Sequence, residues 1–359
     1  MPRLLVVPCA LLASPVALAA QQTERYSLDT GPAVVYNLVG SLRIEAGEGH
    51  VSVQVTRAGA DAGKLTIGQG EIAGRPTFRV IYPADRIRSG RAPDHGSTQL
   101  RVRDDGTFGG EGDEWHDHGR HGGRHEGDEG RRVTIGDDGL DARADLVVRV
   151  PKGERVAAHL AVGAVTVANV DGELRVHTQN APVTASGTRG TLSIEVGAGE
   201  VRISDAQGEL NVDTGSGSVD VTRFSGSDLS VDTGSGEVTG SDLTADELGV
   251  DTGSGEIRLA DVTSPRLSLE TGSGGITADL RRDLASLEVE TGSGDVSIRA
   301  PSSLGARVEI QTASGDIETD FPLQVTRGGR DHMVGTIGDG KGTIAIETGS
   351  GGIRLLKTD

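Results

Sequence analysis

Two groups of side chains in this 359-residue sequence combine residue types and spacing that suit metal binding. The first lies between residues 113 and 129, where acidic residues and glycines surround His116, His118, His121 and His125. Imidazole and carboxylate together suit Zn²⁺, Ni²⁺ or Cu²⁺. Because glycines between the histidines prevent a fixed geometry, the pattern indicates either a weak, flexible chelating tract or a solvated low-complexity loop.

The second group is an acidic ladder, with one carboxylate placed before each turn of a repeat. Its members are Glu195, Asp213, Asp232, Asp251, Glu270, Glu290 and Glu347, with Gln311 at one equivalent position. If the repeats stack, these like charges lie ~4.8 Å apart and repel one another. One interpretation is a stripe that binds Ca²⁺, which prefers oxygen ligands. The other is a solvated face whose charges are interleaved with Arg258, Arg266, Arg299 and Arg307.

Catalysis has little support in the sequence. Every acidic feature recurs in repeat after repeat, which is typical of a scaffold, and no nucleophile–base pair, phosphate-binding loop or metalloprotease motif is evident. The compact exception is Arg330-Asp331-His332, in a predicted loop. We therefore predict no enzymatic activity, no catalytic residues, and no cofactor besides the Zn²⁺ or Ca²⁺ considered above. A glycan-active β-helix enzyme remains an alternative.

A repeat marked by the letters TGSG must position these groups. TGSG begins at Thr214, Thr233, Thr252, Thr271, Thr291 and Thr348, and TASG begins at Thr312. In the copy at residues 229–248, apolar and polar residues alternate on both sides of the glycine turn, which is the period of a half-buried strand. Nineteen residues at ~3.3 Å each make a closed path of about 60 Å, which suits one coil of a parallel β-solenoid. Thr and Ser hydroxyls are expected to bond turn amides.

We predict an all-β fold, a right-handed parallel β-helix of about ten coils that stack in chain order. The alternatives are an antiparallel sandwich or barrel and a Gly/Ser-rich linker. The predicted organisation is a signal peptide (1–19), an N-terminal cap and first coil (20–60), early solenoid strands (61–103), a disordered His-, Gly- and acid-rich insertion (104–132), and the TGSG solenoid (143–357).

Charge and the N-terminus bound the location and the partners. A net charge of −18 argues against binding to nucleic acid or to anionic lipid. Arg3, the apolar run 4–12 and the small residues 17–19 have the pattern of a secretory signal. That run is too short to span a bilayer and no second one follows, so the mature chain is predicted to have no transmembrane segment. The single cysteine, Cys9, lies inside the leader, so no disulfide is expected.

Several phrases together resemble a known family. They are GSLRIEAGEGHVSVQV, DLVVRVPKGERV, the TGSG ladder and the closing MVGTIGDGKGTIAIETGSGGIRLLK. The chain resembles the bacterial β-solenoid domain of unknown function called "putative adhesin" over residues 34–357, apart from the His-rich insertion. The resemblance implies a secreted or envelope-associated β-helix and supplies no catalytic residues.

We therefore expect an exported, non-enzymatic protein, periplasmic or on the cell surface or secreted, with a structural or adhesion role. Its expected partner is an envelope or extracellular protein or glycan. The alternatives are a periplasmic regulatory or stress-related envelope protein and a divalent-metal binder that acts through the His-rich insertion or the acidic ladder.

Overall fold

The structure is a computed structural model that describes residues 23–89, 96–109 and 130–358. Apart from a short 3-10 turn at Ala62–Lys64, the regular elements of these ranges are β-strands. The N-terminal strands are β1 (Thr23–Ser27), β2 (Ala33–Gly47), β3 (Ser52–Ala58), β4 (Thr66–Ile72), β5 (Arg75–Ile81), β6 (Arg86–Arg88), β7 (Thr98–Val102), β8 (Arg131–Gly136) and β9 (Arg143–Pro151). The central strands are β10 (Arg155–Ala168), β11 (Asp171–Asn180), β12 (Val183–Ser186), β13 (Arg189–Ala198), β14 (Val201–Ser216), β15 (Val219–Thr233), β16 (Val238–Thr252), β17 (Ile257–Thr263), β18 (Arg266–Thr271), β19 (Ile276–Leu280), β20 (Ser286–Thr291) and β21 (Val296–Ala300). The C-terminal strands are β22 (Ala306–Thr312), β23 (Ile317–Thr319), β24 (Leu323–Gly328), β25 (His332–Ile337), β26 (Gly342–Thr348) and β27 (Ile353–Lys357).

The central strands stack in parallel, each on the strand one repeat later. Ile194 pairs with Val212, Val212 with Val231, and Val231 with Val250. Like residues therefore lie in columns that run along the stack. The prediction of an all-β, solenoid-like fold is confirmed, and the antiparallel sandwich is excluded for β10 to β21.

The interior is a narrow aliphatic core that the alternation of each strand builds. In β15, Leu229, Val231 and Thr233 are buried, whereas Ser230 and Asp232 between them are more exposed. A buried Val or Leu side chain contributes roughly 1.5–3 kcal/mol, so a few aliphatic residues per coil, multiplied along the stack, hold it together. Aromatic residues make up only 2% of the chain because the narrow interior does not need them.

Glycine is required at the TGSG corner because the backbones of neighbouring coils meet there. Gly274 has a φ of +152°, and a Cβ atom on it would lie 1.9 Å from the carbonyl oxygen of Gly255 in the preceding coil. No side chain fits at that distance. The glycines of the repeat are thus set by the close approach of stacked turns as well as by turn conformation.

The threonines of TGSG point inward, and all but Thr214 and Thr233 donate to carbonyl groups rather than bonding the turn amides expected from the sequence. The Thr271 hydroxyl donates to the Gly255 carbonyl at 3.1 Å, and the Thr291 hydroxyl donates to the Gly274 carbonyl at 3.0 Å. Both side chains are almost completely buried. The turn amides instead bond backbone carbonyls of the neighbouring coil, as Gly274 N does with Ser293 O. Each hydroxyl therefore ties one coil to the turn of the coil below it.

A second corner of the coil is built from residues in the left-handed region. The column comprises Asn169, Gly187, Asp205, Arg223, Asp242 and Asp261, which have φ values between 55° and 66°. Asn and Asp tolerate this conformation better than other side chains do. An arginine residue is not favoured in this backbone conformation. The Arg223 guanidinium donates two hydrogen bonds to the Asp205 carboxylate, at 2.7 and 2.9 Å. Glycine occupies only one of these six positions, and the sequence patterns above did not reveal this corner.

At the N-terminal end, the first long strand is inserted between two later ones. One side of β2 pairs in parallel with β10, and its other side pairs with β5 and then β9. Beyond β9, the strands β3 and β1 pair antiparallel and end the ladder. Stacking in strict chain order is therefore wrong at this end.

The predicted early solenoid strands, residues 61–103, are divided between two sheets. β5 joins the solenoid ladder, and β4 pairs with it as an antiparallel hairpin. β6 and β7 pair with β8 in a separate three-stranded sheet. Most of the predicted insertion, residues 110–129, lies outside the described residues. Just before this gap Thr107 and Phe108 are buried, and after it β8 begins at Arg131.

The C-terminal end has the same kind of insertion. β26 lies between β20 and β22, and β27 lies between β21 and β23, so the last coil of the chain is not the last in the stack. Residues 323–337, which include the predicted loop at Arg330-Asp331-His332, form the hairpin β24–β25, which pairs antiparallel with β22 and ends the ladder. The prediction that coils stack in chain order is thus wrong at this end too, because the terminal coil lies between two coils that precede it in the chain.

Candidate functional site: an acidic column

The register places the seven carboxylates of the acidic ladder in one exposed column. Glu195 pairs with Asp213, and the column continues through Asp232, Asp251, Glu270, Glu290 and Glu347 to Gln311. The last two members follow the inserted order, with Glu347 beside Glu290 and before Gln311. Neighbouring members lie one strand spacing apart, ~4.8 Å at the backbone. We call this set, from Glu195 to Glu347, the acidic column.

The carboxylates of this column disfavour one another's charge. Burial, followed by the charges of Asp232 and Glu195, raises the pKa of Asp213. Burial and the charge of Asp232 raise the pKa of Asp251. The charge of Asp251 is the largest cause of the raised pKa of Glu270, ahead of burial and the charge of Glu290. The free face therefore carries electrostatic repulsion that a cationic neighbour would relieve.

At the N-terminal end of the stack the column changes from carboxylates to rings. Glu195 is followed by His177, His159 and Tyr36 at the same position of successive coils. His177 Nδ1 lies 3.0 Å from Glu195 Oε2, and this bond lowers the pKa of Glu195 against the opposing effect of burial. The His159 ring stacks on Tyr36 at 4.4 Å between centroids. The column therefore ends on an imidazole that compensates its first acid.

Sequence reasoning missed these histidines, although a signal was available. Aligning the glycine-poor coils at steps of 18 places Thr178 and Val196 in the position of Thr214. The residues just before them, His177 and Glu195, then share the position of Asp213. The signal is the change of residue type at this position, from carboxylate in the later coils to imidazole at His177.

A shallow trough runs beside the acidic column. Its floor is made of small residues of one position, Ser230, Gly249 and Ser268, and Asp228 and Glu247 stand on its far side. Its volume is about 310 Å³. Burial, followed by the charges of Glu247 and Glu209, raises the pKa of Asp228. Carboxylates therefore flank both sides of a floor that has no bulky side chain at these three positions.

The arginines expected to interleave with the ladder lie in other columns. Arg258 forms ion pairs with Glu237 and Glu256 on the next side of the coil. Arg299 pairs with Asp279 at 3.4 Å, and Arg266 pairs with Glu247, its neighbour in the row on the far side of the trough, at 3.2 Å. Arg307 shares its position with Thr343, outside the column. These four arginines therefore pair with or neighbour other residues, and the acidic column is less compensated than the solvated-face interpretation assumed.

The other sequence-predicted groups do not form a site in the described structure. His116, His118, His121 and His125 lie outside the described residues. Within residues 23–89, 96–109 and 130–358, no three His, Cys, Asp or Glu side chains are grouped so that they could hold a metal ion. His332 lies in β25 opposite Gln311, and the Asp331 backbone carbonyl accepts a hydrogen bond from the Thr312 amide. The Arg330-Asp331-His332 segment is thus at the end of the stack, where it lies at the turn of the hairpin β24–β25.

Comparison with known proteins assigns the family. The family model described as Toastrack DUF4097 matches residues 138–356, and the chain belongs to this family of unknown function. This confirms the resemblance drawn from the sequence.

A crystal structure of a protein from Clostridium sporogenes, described as a putative cell adhesion protein, is 12% identical. The match covers 94% of this chain and 99% of that one, and its TM-score of 0.19 is too low to carry an argument. No curated protein matches this chain. Over the ranges that the structure describes, no helix is long and apolar enough to cross a membrane.

Proposed function

We propose that this protein is an exported, non-enzymatic component of the bacterial cell envelope with a structural or adhesion role. The observation that carries the proposal is the acidic column, an exposed and regular face with one carboxylate per coil from Glu195 to Glu347. Its acids repeat every ~4.8 Å along the stack, so a long partner that carries several positive charges can contact many of them at once. A face of this kind suits interaction along its length.

The chemistry of the partner follows from the charge of the face. The mutually raised pKa values of Asp213, Asp251 and Glu270 favour a partner that brings positive charge along the column. The small-residue floor of the trough leaves room for an extended backbone beside it. We propose an envelope or extracellular protein with an extended Lys- or Arg-rich segment, and an amine-bearing glycan as the alternative partner.

The finer architecture belongs to the same proposal. Right-handed winding of about ten coils is supported by the parallel ladder and by the strong preference of parallel β connections for that hand. Cleavage after Ala19 and export to the periplasm or the cell surface are supported by the leader pattern. N-terminal sequencing of the protein recovered from fractionated cells tests both statements about export.

A matched pair of variants tests the interaction. Asp213→Asn/Asp232→Asn/Asp251→Asn removes three charges from the acidic column, whereas the control removes three exposed acids elsewhere: Asp29→Asn, Glu48→Gln and Asp246→Asn. Immobilised wild-type and control proteins should retain the same proteins from an envelope extract, together with a lysine homopolymer used as a probe. The column variant should retain neither, and wild-type capture should weaken with salt because exposed charges are screened. Equal capture by all three proteins would rule the acidic column out as the interaction face.

Metal binding remains a separate prediction. Calorimetric titration with Zn²⁺ and Ca²⁺, repeated on a chain without residues 110–129, assigns any heat to the histidines or to the acidic column. Heat with Zn²⁺ that disappears with the deletion would support His116, His118, His121 and His125 as ligands. The absence of heat in both proteins would reject the prediction of metal binding. The identity of the retained protein separates two roles: a periplasmic partner would favour a regulatory role, and a surface or extracellular partner would favour adhesion.

A further inference from the structure

The C-terminal coil fills a space between two coils that follow one another in the chain, residues 286–300 and 306–319. On one face β26 and β27 pair with β20 and β21, and on the other they pair with β22 and β23. The apolar side chains Ile344, Ile346, Ile353 and Leu355 are all buried there. This coil is therefore a full member of the stack, although it is the last segment of the chain.

The terminal coil also carries the backbone ladder that joins the end of the molecule to its body. The paired strands β22 to β25 pair with one another or with β26 and β27 in the described structure, and none of them pairs with β20 or β21. Residues 306–358 thus form one unit, which we call the C-terminal lobe. It meets the body, residues up to 300, through one strand-to-strand seam and the connection 301–305.

The seam is self-contained and repeats the contacts found between any two coils. Ser286–Thr291 faces Thr343–Thr348 in register. The Thr348 hydroxyl donates to the Gly294 carbonyl at 3.2 Å, as Thr291 does to Gly274 one coil earlier. The Gly352 amide adds a bond of 2.8 Å to Asp295 Oδ1. Opening this seam leaves every ladder within the lobe and within the body intact.

We propose that the C-terminal lobe exchanges between copies of this chain, so that the seam joins the body of one molecule to the lobe of another. The edge of the coil 286–300 that the lobe covers pairs in register with the terminal coil, and a second copy supplies that coil with the same residues and register. The connection 301–305 is the hinge, because it is the covalent link between lobe and body. Exchange of an identical element between protomers is a low-cost route to dimers. This inference is independent of the acidic column and of its partner.

Single-cysteine chains test the exchange. Glu288 and Ala345 are exposed neighbours across the seam, at a parallel strand spacing that a disulfide can bridge. In a Cys9→Ser background, a full-length chain with Glu288→Cys is mixed with a differently tagged chain with Ala345→Cys, incubated and then oxidised. A disulfide between the two tags requires that the lobe of one copy has docked on the body of the other.

The control pair has the same geometry inside the body. Asn211 and Ser230 are neighbours in consecutive coils of the same position, so Asn211→Cys and Ser230→Cys chains meet only when the body itself comes apart. We expect a cross-linked heterodimer from the lobe pair and none above background from the body pair. The double variant Glu288→Cys/Ala345→Cys, oxidised before mixing, should close the seam internally and abolish exchange with a wild-type chain.

Hydrogen exchange supplies a second readout that needs no substitution. The amides of Gly294 and Val296 bond the terminal coil across the seam. They should become exchangeable together, and faster than the Val238 amide inside the body, which bonds Glu256 O. Lobe-pair cross-linking that is absent, or equal to that of the body pair, overturns the proposal, as does protection at Gly294 and Val296 equal to that at Val238.

Discussion

Two buried threonines of the same column differ in whether the hydroxyl group has a partner. Thr271 and Thr233 are both 1% exposed and occupy equivalent positions two repeats apart in the stack. The Thr271 hydroxyl donates to the Gly255 carbonyl, whereas the Thr233 hydroxyl has no hydrogen-bond partner in the described structure. Replacement by valine, which has nearly the same shape, should therefore have opposite effects on stability at the two sites.

The magnitudes follow from the cost of buried polar groups. Thr271→Val loses a hydrogen bond whose net contribution is about 1 kcal/mol and deprives the Gly255 carbonyl of that donor, so a destabilisation of about 1 kcal/mol is expected. Thr233→Val removes a buried hydroxyl that costs ~1–3 kcal/mol when unpaired, so its stability should rise by about 1 kcal/mol. The two variants should thus differ by about 2 kcal/mol.

Urea unfolding followed by circular dichroism measures this difference. The denaturation midpoint of Thr271→Val should lie below the wild-type value and that of Thr233→Val above it, with unchanged slopes. Thr291→Val, which removes an equivalent bond, should behave like Thr271→Val. If Thr233→Val is destabilised as much as Thr271→Val, the hydroxyl groups do not differ as described and the reasoning fails.

Three further predictions concern the corner glycines and the column. Gly274→Ala should destabilise by about 3 kcal/mol or more because its Cβ would meet the Gly255 carbonyl, whereas Gly249→Ala, with open space around its Cβ, should change stability by less than about 1 kcal/mol. Asp232→Asn should lower the pKa of Asp213 and Asp251 toward the ordinary aspartate value, measured by carboxyl NMR titration; unchanged values would show that the column acids do not interact. Folding raises the pKa values of Asp213 and Asp251, so the folded protein binds protons more tightly than the unfolded chain does. The free energy of unfolding of the wild type should therefore rise as pH falls through the raised values, and Asp232→Asn should weaken that rise. His177→Gln tests a pH dependence of the opposite sign. The lowered pKa of Glu195 stabilises the fold above the ordinary glutamate pKa, and this stabilisation is lost as pH falls through the folded-state pKa. Urea unfolding at a series of pH values should show that the variant lacks this dependence.

The sequence predicted the central stack because its pattern is local and periodic. Alternation placed Val212, Val231 and Val250 inward, and the constant step of the TGSG mark placed them one above another. The acidic column could be predicted from the same two facts, since the residue between two inward positions must point outward. Geometry of this kind needs no knowledge of distant contacts.

The order of coils at the two ends could not be read in the same way. The coil at residues 342–357 carries the same pattern as its neighbours, so its sequence fits between any two coils and does not say which pair it separates. The same holds for β2, which pairs with segments more than a hundred residues later in the chain. The left-handed corner was missed for another reason: Asn, Gly, Asp and Arg fill it in different coils, so no single residue type marks the position along the sequence.

The central claim is that like residues of successive coils lie in one column, with the terminal coil inserted before β22. Spin labels at Arg175 and, in turn, at Ser268, Ala345 and Glu309 measure this by pulsed electron–electron resonance. These positions lie five, seven and eight strand steps from Arg175, which at ~4.8 Å each gives backbone separations of about 24, 34 and 38 Å. We predict that order, with Glu309 farther away than Ala345. Glu309 closer than Ala345, or distances that do not grow from Ser268 onward, would contradict the account.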